Sequence, residues 1–279
     1  MTEPKPKRGK KKKVVIPPPD TLENFQGTKI ERLKQLYDKW YGCTKCPLGE
    51  LRACDGKQDI VFGEGNPDAS ILIVGEAPGE EEEATGIPFV GKAGQLLNQI
   101  LAFTSDNPDI RKAQDDYTRI SHSDFNQKKI KSYHSYIEEW RHTEFFVTNA
   151  VACKPPEGAT PTSDQIKACW DRLWNIIYIV DPWLIVACGN SALAATLRKV
   201  QVRITEARGR IYDVEFPGHV GPVMYPVVPV FHPSYLLRKA DWNVQGGDYA
   251  KTVKDWRKAL KAVDFLKERY LGIPALKRG

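Results

Sequence analysis

Cys43 and Cys46 form a C-x2-C pair beside Pro47, and Cys153 and Cys169 form a C-x15-C pair far downstream. Four thiolates complete either a tetrahedral zinc site or an iron–sulfur cluster, and neither spacing alone chooses between them. A metal site built from such distant segments would tie the N-terminal part of the chain to its middle. Between the pairs lies GEAPGEEEEATGIPFVGKAG, residues 75–94, and after them comes HPSYLLR, residues 232–238. Glu76 leaves the end of the apolar run ILIVG, where a carboxylate can orient water or oppose a developing positive charge. The turn after it has no GKS or GKT, and its carboxylates would repel a phosphate. Within the acidic run, Glu80, Glu81 and Glu83 read as a solvated face. Phe89 offers an aromatic face just before a helix. Asn149 ends another apolar run and carries one donor and one acceptor group, enough to read a polar edge. His232 ends a further run in Phe231-His232-Pro233-Ser234. Cys54 reads as a bystander and Cys188 as a small buried hydrophobe.

The elements that must position these residues are legible as patterns. Residues 71–75, 145–151, 183–188 and 226–231 are short apolar runs with the length and β-branched content of buried parallel strands. Helical spacing falls between them. Ile30, Leu33, Tyr37 and Trp40 mark a helix over 28–41. Leu96, Leu97 and Ile100 mark one over 94–103. Thr162 and Gln165 form a capping box ahead of a helix through Ile177. The stretch from Tyr249 to Tyr270 is an amphipathic helix with Val253, Trp256, Leu260, Val263 and Leu266 on one stripe. Alternating strands and helices predict an α/β domain with a parallel sheet, whose sites lie at the carboxyl ends of the strands. The chemical residues all start there.

The 279 residues carry 41% hydrophobic and 27% charged side chains, an ordinary globular balance. No run reaches the roughly 18 apolar residues of a membrane helix. The cysteines are too few for a disulfide scaffold and fit a reducing compartment. The net charge of +6 is concentrated in a basic N-terminal stretch, so residues 1–27 read as a disordered tail and 28–279 as one domain. Residues 104–143 break the rhythm and read as an insertion, solvated at the surface, with a short helix over 127–139. Lys128, Lys129 and Lys131 with Tyr133, His134 and Tyr136 would suit a nucleic-acid contact there.

Together these motifs resemble the family 4 uracil-DNA glycosylases, over roughly residues 29–103 and 144–270. The resemblance implies a three-layer α/β/α fold around a four-stranded parallel sheet. It implies that Cys43, Cys46, Cys153 and Cys169 hold a structural [4Fe–4S] cluster rather than zinc. It gives Glu76 the role of activating water or stabilising a cationic sugar, and His232 that of hydrogen-bonding uracil O2. Glu82 matches a second carboxylate near the base, Phe89 the stacking aromatic and Asn149 the amide that reads uracil. Ser234, Tyr235, Leu236 and Arg238 match the loop that enters the DNA minor groove. The expected activity is hydrolysis of the uracil N-glycosidic bond in single- or double-stranded DNA. The alternative is a non-catalytic iron–sulfur module that binds uracil or nucleic acid. Uracil-containing DNA is the expected partner, with a monomer in the cytoplasm or at the nucleoid and no membrane association.

Overall fold

A computed structural model of the chain describes residues 13–15, 24–123, 127–199, 202–217, 222–239 and 246–271. A short strand β1 (Lys13–Val15) precedes helices α1 (Lys29–Trp40) and α2 (Pro47–Cys54), the two-residue strand β2 (Glu64–Gly65) and β3 (Ile71–Gly75). Helices α3 (Glu80–Thr85), α4 (Lys92–Thr104), α5 (Pro108–Ser123) and α6 (Gln127–Glu144) separate β3 from β4 (Phe145–Asn149). Next come α7 (Ser163–Ala168), α8 (Trp170–Val180), β5 (Leu184–Cys188), α9 (Gly189–Leu197) and α10 (Ile204–Ala207). Strands β6 (Tyr212–Pro217) and β7 (Pro222–Val230) and helices α11 (Pro233–Leu237) and α12 (Asp248–Leu271) complete the chain.

The four apolar runs become β3, β4, β5 and β7, which lie side by side and parallel in the middle of the sheet. The sheet is nevertheless larger and more mixed than four parallel strands. Its order is β1-β6-β7-β5-β3-β4-β2, with β6 antiparallel to β7 and β2 antiparallel to β4. Strand β6 alternates instead of running apolar: Val214 and Phe216 are buried, while Asp213 and Glu215 are half-exposed. That period of two marks a strand with one covered face, which a search for continuous apolar runs passes over. Strand β2 is too short to carry any pattern. Strand β1 pairs parallel with β6 from within the segment read as a tail. The remainder of that reading, residues 1–12 and 16–23, lies outside the described residues.

Helix α4 packs with α6, and α8 with α9, the two layers that right-handed crossovers between the parallel strands require. Helix α12 packs on α4, and α1 on α8, so helices flank the sheet on both sides. Both capping boxes form, Thr28 with Glu31 and Thr162 with Gln165. The helix begun by Thr162 breaks at Cys169, which ends α7 and starts α8. On α1 the buried positions are Leu33, Leu36 and Trp40, while Ile30 is 68% exposed.

Residues 104–143 are not a solvated excursion. They form two long helices, and Ile110, Tyr133 and Ile137 bury a second small core with Ala102 of α4. Tyr117 stacks on Tyr133 with ring centroids 4.1 Å apart. Tyr133 is therefore a packing residue and has no face free for a base, whereas Tyr136 is 45% exposed beside the exposed Lys131. The pattern was hard to read because the covered stripe is narrow and the rest of each helix is polar. Ile137→Ala should cost roughly 2–5 kcal/mol of stability, the range for truncating a buried Ile. Urea unfolding measures this, and a loss near zero would return the segment to the surface.

Candidate active site

The carboxyl ends of β7, β5, β3 and β4 lie in that spatial order, and they deliver the site. Gly75 ends β3 opposite Asn149 at the end of β4. A side chain at Gly75 would strike the Asn149 amide oxygen and lie 2.6 Å from the Phe89 ring. Glycine thus leaves a gap floored by backbone, with an amide and an aromatic at its sides. The Phe89 ring lies 5.9 Å from the His232 ring, tilted by 32°. Three of the expected base-handling residues, Phe89, Asn149 and His232, are therefore neighbours.

Phe89 sits at φ 59°, the left-handed region that a bulky aromatic rarely adopts. Its conformation is fixed from several sides. Arg141, fully buried on α6, donates from Nη1 to the Phe89 carbonyl at 3.1 Å and from Nη2 to the Pro88 carbonyl at 3.3 Å. Gly94 lets the first turn of α4 press directly on the Phe89 backbone. Glu82 accepts from the backbone N–H groups of Gly79 and Gly91, at 3.0 and 2.9 Å, one on each carboxylate oxygen. It clamps the loop that carries Phe89. Glu83 is not solvated either, since it bridges Lys57 at 2.7 Å and Lys154 at 3.0 Å. Burial opposes its charge, but the two lysines outweigh this and hold its carboxyl below the usual range.

His232 caps α11, and its Nδ1 accepts the backbone N–H of Ser234 at 3.2 Å. An Nδ1 that accepts leaves the ring proton on Nε2. Burial, helped by the nearby Arg238 charge, lowers the His232 pKa from 6.5 to about 4. The imidazole is thus neutral at physiological pH with one N–H to donate. Helix α9 touches both catalytic candidates. Gly189, at φ 87°, lies under the His232 Cβ, and Ser191 Oγ donates to Glu76 Oε2 at 2.6 Å. Ser191 and Arg141 were missed from sequence, because nothing in their local pattern separates them from ordinary helix residues.

The stretch after His232 divides by burial. Leu236 is fully buried and cannot reach DNA, whereas the adjacent Leu237 is 47% exposed. Tyr235 is held at 5.0 Å on Phe231 and donates to Asp248 at 2.8 Å. Ser234 braces His232, and Arg238 is exposed. Leu237 and Arg238 are thus the residues of this turn that face outward.

The four cysteines come from three loops and helix ends. Cys46 caps α2, Cys153 follows β4, and Cys169 joins α7 to α8. Burial raises the Cys153 thiol to about 11 and also raises Cys169, and each feels Cys46 electrostatically. Two buried arginines adjoin them, Arg52 against Cys153 and Arg172 against Cys169. The Nε of each arginine has no hydrogen-bond partner. Positive, unsatisfied donors around thiols fit an anionic thiolate-bound group. Among the described residues no three His, Cys, Asp or Glu side chains converge on a point as a single ion requires. Cys54 is exposed at the end of α2, and Cys188 is fully buried with its thiol pushed up by burial.

The chain is thus an α/β protein with an aromatic, an amide and an imidazole gathered at the carboxyl rim of its central parallel strands. The model of the Uracil DNA glycosylase superfamily matches residues 62–262. The chain is 34% identical over 211 residues to the type-4 uracil-DNA glycosylase of Thermotoga maritima, covering 76% of this chain and 86% of that one. It is 30% identical to the type-4 enzyme of Pyrobaculum aerophilum, over 74% and 85% of the two chains, and 31% identical to that of Sulfurisphaera tokodaii, over 75% and 80%. The chain belongs to the type-4 uracil-DNA glycosylases of this superfamily.

Two outcomes follow from the geometry. Arg141→Met removes the donor from two buried carbonyls and should cost about 2 kcal/mol or more. Its larger signature is a weaker Kd for uracil DNA at unchanged affinity for abasic DNA, measured by fluorescence anisotropy. For His232 the folded pKa lies below the unfolded value, so the unfolded chain binds more protons between about pH 4 and 6.5. This residue's contribution is present above pH 6.5 and is lost as pH falls toward 4. Comparing unfolding free energies of wild type and His232→Gln across that window should show the wild type losing more.

Proposed function

We propose that this chain excises uracil from DNA by hydrolysing the N-glycosidic bond and leaving an abasic site. The observation that carries the reading is the approach of the Phe89 and His232 rings, 5.9 Å apart, beside the Gly75 gap that Asn149 borders. A duplex base must leave the stack to reach such a rim, at a cost of a few kcal/mol. Phe89 then supplies the π-face for the extruded ring. The Asn149 amide matches O4 and N3–H of uracil and mismatches the edge of cytosine. As the C1′–N1 bond breaks, its electron pair moves onto the uracil ring, and Nε2–H of His232 stabilises the charge that collects on O2. Glu76, oriented by Ser191, opposes the positive charge on the sugar and receives the proton of the water that attacks C1′. Neutrality suits His232 to this task, because a charged imidazole at the rim would have to be desolvated first.

Cys43, Cys46, Cys153 and Cys169 would hold a [4Fe–4S] cluster. The family and the buried cationic Arg52 and Arg172 beside Cys153 and Cys169, each with an unpartnered Nε, support an anionic cluster there. Bound there, the cluster supplies cross-linking between the N-terminal helices and the sheet, and no electron is needed for hydrolysis. The exposed Leu237 is the residue shaped to fill the space an extruded base leaves, with Arg238 beside it for phosphate. Among the described residues no helix is long and apolar enough to cross a membrane.

Single-turnover uracil release from a labelled oligonucleotide tests the reading. His232→Ala should slow it roughly 10²-fold or more, the scale of one lost stabilising donor. Glu76→Ala should slow the chemical step with DNA affinity kept. Wild-type rates in both folded variants would remove them from the mechanism. Leu237→Ala should slow release from duplex DNA far more than from a single strand, since only the duplex must be opened. Equal slowing on both substrates would assign Leu237 to packing.

A further inference from the structure

Arg172 connects the cysteine centre to the base-reading amide. It stands on α8, three residues after Cys169, and its guanidinium is fully buried. Nη2 donates to the Asn149 carbonyl at 2.5 Å, and Nη1 donates to the Phe62 carbonyl at 2.9 Å and to Thr148 Oγ1 at 3.1 Å. Thr148 Oγ1 in turn donates to the Phe62 carbonyl at 2.7 Å. Cys169 begins α8 one turn before Arg172, and its carbonyl accepts the Leu173 N–H at 3.1 Å, so cysteine and guanidinium share the first turn of one helix. On the far side of the guanidinium the chain is bound to the catalytic strand: Ala150 N–H donates to the Gly75 carbonyl at 2.9 Å and Val151 N–H to the Glu76 carbonyl at 3.2 Å. A buried guanidinium with a fixed fork has one geometry that satisfies all these acceptors. Each neighbour therefore helps set the position of the others.

We infer that Arg172 is a positioning residue that transmits the state of the four-cysteine centre to Asn149 and the Gly75–Glu76 turn. Cys169 fixes the first turn of α8, and Arg172, one turn on, carries that position to the Asn149 carbonyl. A centre that loses its metal would free that turn of α8, and the rim of the site would loosen with it. The catalytic consequence rests on the reading of Asn149 as the amide that meets uracil. The coupling itself does not.

The test uses the iron-loaded protein and reads amide hydrogen exchange at Ala150 and Val151, iron per chain, and single-turnover uracil release. Arg172→Lys keeps the charge and loses the fork. It should keep its iron, speed exchange at those two amides about tenfold or more, and leave Val186 in the middle of β5 protected. Uracil release should slow while affinity for abasic DNA stays unchanged. Chelation of iron from the wild type should speed the same two amides, and chelation of the variant should add little, since the link is already cut. Thr148→Val, which removes one acceptor of the fork, should shift the same amides in the same direction and carries the test if Arg172→Lys does not accumulate folded. Wild-type exchange at Ala150 and Val151 in the iron-loaded variants overturns the coupling, as does equal acceleration by chelation with and without Arg172. Altered exchange with uracil release unchanged keeps the coupling and overturns the role given to Asn149.

Discussion

Gly75 lies opposite Asn149 because β3 and β4 run parallel in a register that aligns their carboxyl ends. Every distance in the site depends on that pairing. The absent side chain at Gly75 gives the Phe89 ring and the Asn149 amide a common approach to one space. A slip of one residue would exchange the faces of the strand and point Asn149 into a helix layer. Both strands are buried along their whole length, so such a slip would also mismatch the packing on both faces of the sheet.

Two buried arginines reach this register from opposite layers. Arg141, on α6, grips the carbonyls of Pro88 and Phe89, and Arg172, on α8, grips the carbonyl of Asn149. Each is a cation taken out of water, which is expensive unless its donors are answered. Burial lowers the Arg141 pKa only to about 10, so it stays charged. Backbone carbonyls answer most of these donors, and the result is a rigid frame for one strained aromatic and one amide. A base-excising site benefits because an extruded base has to be met by groups already in place.

The segment 104–143 changes meaning in this light. It read as an excursion because its polar residues outnumber its apolar ones, yet its last turns carry the arginine that holds Phe89. Its apolar positions Ile110, Tyr133 and Ile137 anchor α5 and α6 on α4. Packing and catalytic support are thus the same contact, viewed from two ends of α6. Glu82 and Glu83 make the same point on α3, one closing the loop around Phe89 and the other tying it to Lys154 beside Cys153.

The sequence by itself determined the four central strands, the capping box of Thr162 and Gln165, the cysteine set and the motif residues Glu76, Phe89, Asn149 and His232. These are local signals: an apolar run, a cap three residues from its partner, a reactive side chain at a strand end. Tertiary structure alone decided the rest. Burial separated Leu236 from Leu237, two identical side chains on one short helix that differ only in what lies beneath them. It made Arg141 and Arg172 internal, though an arginine reads the same in sequence whether it meets water or a carbonyl. It placed β6 antiparallel beside β7, where one covered face needs only alternation. The partner that gives each of these residues its role lies far away along the chain, so no window of sequence contains both.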